Sequence, residues 1–316
     1  MIIVGSLTAV SLRRLGIGDK LLGFLLVEGL LTNVGGLLTL ISSVPNIIVG
    51  NAAGITFMTF FVKAMPYVVV VTGITIWLGA RVFKIRSLAG DEARSEAARL
   101  VSGFDENDGI ESRFKFNFGA VMLGAFIVTI AAASIPDTVL NSLGMGYVAL
   151  SFAVIMLVQY KSIADRFYQA VDWDLLAFFG ALFVVINVME HAQVLALIGR
   201  GLAPILELGD TVGPATMLFS SAVASSVTDN IPLAAMLAQI LGNLDLAADS
   251  PYWWAVIFGA NLGGNITPIG SASTLVAVTI IHKHGLRLSF VGFVRAALPF
   301  AALQLVLAAG YVLWVL

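Results

Sequence analysis

The chain has 316 residues, of which 59% are hydrophobic and only 11% charged, and its mean hydropathy is +0.97. Soluble domains run about 45–50% apolar and about 25% charged, so this composition excludes both a soluble globular protein and a disordered one. Seventeen Lys and Arg against 19 Asp and Glu leave no basic excess for a nucleic-acid partner, and the lack of cysteine excludes disulfides, thiolate metal sites and redox pairs.

A helix needs roughly 20 apolar residues to cross a bilayer. In chain order, Met1–Leu12 is apolar without a charged leader or cleavage pattern, and reads as the tail of a membrane segment rather than a secretory signal. Leu21–Gly54 is too long and too interrupted for a plain span. Pro66–Phe83 is a clear span. Lys84–Phe116 then carries 13 of the 36 charged residues in 33 positions, and its Glu92–Arg99 run has the i,i+4 charge spacing of a short solvated helix. Further spans are expected near Phe118–Pro136, Gly144–Tyr160, Leu175–His191 and Ala296–Leu316. Gly209–Leu244 is broken by Ser225–Pro232 and reads as a hairpin that enters the membrane and turns back. Trp253–Ile281 is a second long, interrupted stretch. The fold class is therefore all-α, a polytopic membrane protein with the lipid bilayer as its partner.

Placing Lys84–Phe116 in the cytoplasm puts fifteen of the 17 Lys and Arg on that side and leaves only Lys63 and Arg200 opposite. The expected location is the cell membrane, with the C-terminus outside. Trp77, Trp173, Tyr252, Trp253 and Trp254 suit an interfacial aromatic belt. Glu190 and Asp174 fall near the interfaces and read as solvated.

The two interrupted stretches match each other. Asn33, Gly35, Gly36, Thr39, Ile41 and Ser43 recur as Asn261, Gly263, Gly264, Thr267, Ile269 and Ser271 at a constant spacing of 228. By the orientation above, the first copy runs inside to outside and the second outside to inside, so the repeats are inverted, an architecture of many secondary transporters. The expected organisation is a truncated first repeat over 1–83, a charged cytoplasmic linker over 84–116 and a complete second repeat over 117–316. Asp229, shifted back by 228, lands on Met1. The counterpart of the second repeat's first part would then precede Met1, and the expectation is an incomplete version of a longer protein, with a shortened paralogue as the alternative.

Broken helices at membrane depth are tolerated where they are buried in protein or line a wet cavity. Gly35, Gly36, Gly263 and Gly264 permit unusual backbone, and Pro45 and Pro268 interrupt the helical ladder. Half-helix ends offer carbonyls to cations and N–H groups to anions, and the hydroxyls of Thr39, Ser43, Thr267 and Ser271 suit either. The competing reading is helix packing by small residues, as in the GxxxG spacing of Gly259 and Gly263. Asp229 and Glu28 are acids within apolar flanks, where a carboxylate costs roughly 2.5–3.5 kcal/mol on insertion scales and is a functional candidate by default. Asp229 reads as a coupling-ion ligand or a hairpin cap, and Glu28 as a proton relay or an interhelical hydrogen-bonding group. His191, His282 and His284 sit at span ends without metal-ligand spacing. Asn265-Ile266-Thr267 fits a glycosylation acceptor but lies in the broken helix, where the match is accidental. No nucleophile–base pairing or phosphate-cradling loop is visible, so the chain does not read as an enzyme.

At these motifs the sequence resembles the ion transporter superfamily of permeases, in the branch that holds arsenite permeases, the melanosomal P protein and citrate-permease-like proteins. The resemblance rests on Thr32-Asn33-Val34-Gly35-Gly36, on Ser43-Val44-Pro45-Asn46 with Gly50 and Gly54, on Thr228-Asp229-Asn230-Ile231-Pro232, and on Gly259-Ala260-Asn261-Leu262-Gly263-Gly264-Asn265-Ile266-Thr267-Pro268. It continues through His284-Gly285 and Ser289-Phe290. Asp229-Asn230-Ile231 stands where the superfamily's dicarboxylate carriers have Ser-Asn-Thr, which leans toward the arsenite and P-protein side. The resemblance implies an elevator-type carrier, commonly dimeric, with one substrate site between two hairpins. The expected function is secondary transport of an anion or metalloid oxyanion coupled to H⁺ or Na⁺, with no other cofactor and no metal. A Na⁺/H⁺ antiporter and an inactive remnant of such a carrier are the alternatives. Substrate-site candidates are Asn33, Gly35, Gly36, Thr39, Ser43, Asn46, Asn230, Asn261, Gly263, Gly264, Thr267 and Ser271; coupling-ion candidates are Asp229, Asn230 and Glu28.

Overall fold

The computed structural model describes residues 1–85, 91, 94, 95, 98, 99, 110, 112–244 and 246–316. Among these there is no strand, and the protein is an all-α polytopic membrane protein. The chain falls into two compact units. One comprises Met1–Ile55, Phe60–Phe104 and Gln193–Leu316; the other comprises Thr56–Thr59 and Asp105–Ala192.

The helices in chain order are α1 (Ile2–Arg14), α2 (Leu21–Gly36), α3 (Val44–Ala52), α4 (Phe57–Val82), α5 (Arg113–Ala132), α6 (Val139–Gln159), α7 (Ala164–Ala170) and α8 (Trp173–His191). They continue with α9 (Val194–Leu206), α10 (Gly209–Val227), α11 (Asn230–Gly242), α12 (Pro251–Gly263), α13 (Ala272–Lys283) and α14 (Phe290–Trp314). Among the described residues, five helices are long and apolar enough to cross a membrane: α4, α5, α6, α8 and α14. These are the five spans expected from the sequence. The first begins earlier than expected, at Phe57, with Pro66 inside it; a span tolerates such a proline where neighbouring groups satisfy the freed carbonyl. Of the Glu92–Arg99 run, Arg94, Ser95, Ala98 and Arg99 are helical, and Glu92, Ala93, Glu96 and Ala97 lie outside the described residues.

Local chemistry sets the helix starts. Thr138, Asp172 and Ser289 accept from the backbone N–H of Asn141, Leu175 and Gly292 at 3.2, 2.9 and 3.1 Å, satisfying donors that would otherwise be orphaned. Pro45 and Pro251 stand in the first turns of α3 and α12, where no intrahelical donor is lost.

The first unit is built around α12. All twelve residues from Tyr252 to Gly263 are buried, and α12 packs against α10, α14, α11, α3 and α2. Glycine makes the closest of these approaches possible. A Cβ on Gly259 would stand 2.5 Å from the Leu218 carbonyl oxygen, and one on Gly263 would stand 2.3 Å from that of Ala222. The aromatic belt expected at Tyr252, Trp253 and Trp254 is not found: all three are buried. Trp254 packs on Phe60 and Phe258, and Trp253 donates its indole N–H to the Ala247 carbonyl at 3.1 Å. Trp77 and Trp173 are exposed, as a belt requires.

The helix bounds carry the sequence repeat into three dimensions. Both ends of α1 recur 228 residues later as the ends of α11, and the start of α3 recurs at the same spacing as the start of α13. Packing follows the same pairing, with α2 on α13 and α12 on α3, and with α1 on α13 and α11 on α3.

In the second unit, α5 packs on α6. Gly144 breaks α6 near its start with φ 78° and ψ 163°, a backbone region open essentially to glycine alone.

Candidate functional site

Both interrupted stretches are broken helices, as expected. α2 ends at Gly36, and a short turn through Leu40–Ser42 leads to extended Ser43 and then α3. α12 ends at Gly263, and the chain passes through 264–270 to extended Ser271 and then α13. Gly209–Leu244 is a helical hairpin, α10 and α11, joined by extended Thr228 and Asp229.

These breaks meet at a cleft of about 230 Å³. Its lining comes from Thr32, Asn33 and Gly36 of α2, Ser42, Ser43, Val44 and Pro45 leading into α3, Asn230 and Ile231 at the start of α11, Asn261 of α12, and Ser271, Ala272 and Ser273 at the start of α13. No charged side chain is among them. A larger cavity of about 570 Å³ in the second unit is lined mainly by apolar side chains such as Met156, Leu157, Phe167 and Val171, with Asp165, Tyr168 and Trp173 as its polar groups.

The two breaks are stitched to each other by equivalent bonds. Asn33 donates its amide N–H to the Ser271 hydroxyl at 2.9 Å, and Ser43, the counterpart of Ser271, donates to the amide oxygen of Asn261, the counterpart of Asn33, at 2.8 Å. Asn261 also donates to the Ile257 carbonyl at 2.7 Å and to the Asn46 amide oxygen at 2.9 Å. Asn46 in turn donates to the carbonyls of Gly36 at 2.7 Å and Thr39 at 3.1 Å, which closes the first break. Carbonyls can only accept. The NH₂ ends of Asn46 and Asn261 are therefore fixed toward backbone, and the amide oxygen of Asn261 is held toward Ser43.

Of the fourteen residues proposed from sequence, Asn33, Gly36, Ser43, Asn230, Asn261 and Ser271 line the cleft. The others do not. Asn46 is fully buried behind Asn261. Thr39 bonds Ser42 within the first break, and Gly35 is exposed outside the cleft. Gly263 packs on the backbone of Ala222, and Gly264 lies against Ser271 and Gly270. Thr267 turns its hydroxyl to the Ser226 carbonyl at 2.5 Å, tying the second break to the end of α10. Asp229 is exposed and caps α11, accepting from the Ile231 N–H at 2.9 Å. Glu28 accepts from the Thr8 hydroxyl on α1, and its second carboxylate oxygen is buried without a partner among the described residues.

Residues beyond the sequence proposals also take part. Thr32, Ser42 and Ser273 line the cleft beside proposed residues. Asn265 lies in the second break, fully buried, and accepts from Asn33 at 2.8 Å; its sequence signal was a polar residue inside the repeated motif.

An all-α chain with five helices able to cross a membrane among its described residues, and a hydrogen-bonding cleft between broken helices whose lining carries no charged side chain, has the form of a membrane transporter. Residues 3–259 match the Citrate transporter family, and the chain belongs to that family. It is a transporter, not an enzyme. A protein of Mycobacterium tuberculosis named "Uncharacterized transporter" is 31% identical over 321 residues, covering 99% of this chain and 71% of its own length. An "Uncharacterized transporter" of Synechocystis is 28% identical over 330 residues, 95% of this chain and 70% of its own. The human "P protein" is 30% identical over 186 residues, 54% of this chain and 22% of its own.

Proposed function

We propose that this transporter carries a small carboxylate-type anion, coupled to the movement of H⁺ or Na⁺, through the cleft between the two broken helices. One observation carries this reading: the amino ends of three helices, α3, α11 and α13, line the same cleft. A helix amino end bears the equivalent of roughly half a positive charge; that of α11 is already met by the Asp229 carboxylate, so α3 and α13 carry the preference for an anion without any Lys or Arg. The amide N–H groups of Asn230, and the Ser42 hydroxyl when Thr39 donates to it, supply orienting hydrogen bonds to the anion. Arsenous acid is uncharged at neutral pH and would gain little from this arrangement, which favours a carboxylate over a neutral metalloid. The matched bonds of Asn33 with Ser271 and of Asn261 with Ser43 support two inverted copies of one motif meeting at a single site. Asp229 immediately precedes the lining residue Asn230, and in this reading it holds the coupling cation, with Glu28 as the second acid.

The test is uptake of labelled citrate into proteoliposomes under imposed Na⁺ and pH gradients. Cation-driven uptake is expected in the parent protein. Asn is as good a helix cap as Asp, so Asp229→Asn should leave the protein folded and remove the cation dependence. Persistent coupling in that variant would end the role of Asp229. Arsenite uptake, or Na⁺/H⁺ exchange without any anion, in place of citrate uptake would end the anion reading.

A further inference from the structure

Behind the cleft runs a line of hydrogen-bonded side chains that starts at the lining residue Asn33. Asn33 donates to the amide oxygen of Asn265 at 2.8 Å. Asn265 donates to the amide oxygen of Gln304, on α14, at 2.8 Å and to the Leu30 carbonyl at 3.1 Å. Gln304 donates to the Thr75 hydroxyl, on α4, at 3.1 Å. The four side chains are buried, with Gln304 at 1% and Asn265 at 0% exposure. Gln304 is held at its backbone as well, where its carbonyl accepts from the Tyr67 hydroxyl at 2.9 Å.

An amide can be turned over, exchanging its NH₂ and oxygen, with almost no change of shape. Hydrogen-bond partners decide which way it lies. The Leu30 carbonyl can only accept, so it holds the Asn265 NH₂ toward itself and Gln304. The Asn265 oxygen then faces Asn33, and the Asn33 NH₂ must point inward to meet it. That leaves the Asn33 oxygen facing outward, where it accepts from Ser273, a lining residue of the cleft. Gln304 supplies the second acceptor that the Asn265 NH₂ needs in this orientation. Without it, one buried N–H of Asn265 is orphaned, and turning the amide over is no longer opposed by that bond.

We propose that Gln304 is a positioning residue of the transport site: with the Leu30 carbonyl it holds Asn265, and through Asn265 it keeps the Asn33 oxygen on the Ser273 hydroxyl in the cleft wall, and so joins the site to the long span α14. The importance of this orientation for transport rests on the function proposed above, whereas the relay itself does not.

Two measurements separate the two claims. The first needs no substrate. Hydrogen bonds join Gln304 to Asn33 through Asn265, so the melting-temperature losses of Gln304→Met and Asn33→Ala in solubilised protein should be less than additive in the double variant. Additive losses would overturn the relay. The second is citrate uptake. Gln304→Met should raise the half-saturating citrate concentration about tenfold, the effect of one orphaned buried donor. Gln304→Glu, which still offers Asn265 an oxygen, and Thr75→Val, which leaves that oxygen in place, should stay within about threefold. Equal impairment by Gln304→Glu and Gln304→Met, in variants recovered folded and monodisperse, would overturn the positioning role. Where Gln304→Met is not recovered folded, Gln304→Asn, one methylene too short to reach Asn265, replaces it in both measurements with the same expectations. A parent protein with no citrate uptake overturns the proposed function and leaves the relay to be decided by the melting-temperature measurement.

Discussion

The two units use similarly apolar helices in opposite ways. In the most apolar part of α14, 44% of residues are buried in the protein, whereas for each of α5, α6 and α8 the share is 6%. Composition does not separate them, since all four qualify as spans. Their polar side chains do. In the second unit Thr129, Ser142 and Ser151 return their hydroxyls to carbonyls of their own helix, at Ala125, Val139 and Tyr147. A hydroxyl spent in this way leaves a surface fit for lipid. In the first unit Asn33, Ser43, Asn261, Asn265 and Gln304 bond across to other elements. Such bonds fix the relative placement of helix ends, which a binding site requires. Around the cleft the amides and hydroxyls reach across, whereas the hydroxyls of the exposed spans in the second unit fold back, and the groups that do reach across there, Asn141 and Tyr160, bond backbone carbonyls at helix ends.

The largest effect expected from this contrast is at Gly263. A Cβ there meets the Ala222 backbone at 2.3–2.8 Å, and backbone cannot move aside as a flexible side-chain end can. Gly263→Ala should therefore cost more than about 3 kcal/mol, beyond the usual range for overpacking, and should be seen as loss of monodisperse protein after solubilisation. Recovery of a variant with the parent's melting temperature would mean that α10 and α12 are not pressed together as described.

Much of this contrast can be read from the sequence, and the unread part has a physical cause. The five spans are legible because length and apolar content alone define them. The breaks at Gly36 and Gly263 are legible because Gly, Asn, Pro and Ser together are out of place in a span and occur twice. What a side chain bonds to is not legible. Thr39 and Thr267 suggest hydroxyls aimed at a ligand, but the turn of each break directs them to Ser42 and to the Ser226 carbonyl. Trp253 and Trp254 have the composition of an interfacial belt, yet α12 is enclosed on every side and carries them inward. Gln304 stands in the sequence as a lone amide in an apolar helix. Its partner Asn265 is 39 residues away, and only the packing of α14 behind the second break brings the two together.

An intermediate effect is expected in the second unit, where backbone rather than packing sets the constraint. Gly144 has open space around its Cβ position but φ of 78°. Gly144→Ala should cost about 1–3 kcal/mol through strain alone. Gly146, two residues on in the same helix, also has open space and no positive φ. Its alanine variant should be neutral or gain up to about 1 kcal/mol from helix propensity. Melting temperatures that move in opposite directions for these two neighbours would locate the constraint in the Gly144 backbone. Equal shifts would place it in an unseen contact and blur the line between the units.

The smallest effect tests the contrast at its weakest point. The Ser151 hydroxyl donates to the Tyr147 carbonyl at 2.9 Å, one turn earlier in α6. That carbonyl is already positioned to accept an ordinary helical bond, so the hydroxyl adds a second donor to a satisfied group and frees nothing when removed. Ser151→Ala also exchanges a residue that competes with the backbone for one with the best helix propensity. The change should stay within about 0.5 kcal/mol, as for substitutions that break no special feature, and the variant's uptake should match the parent's. A larger loss, in stability or in uptake, would show that Ser151 reaches another element in the working protein. The contrast between hydroxyls that fold back and groups that reach across would then fail at a residue chosen because it shows it most simply.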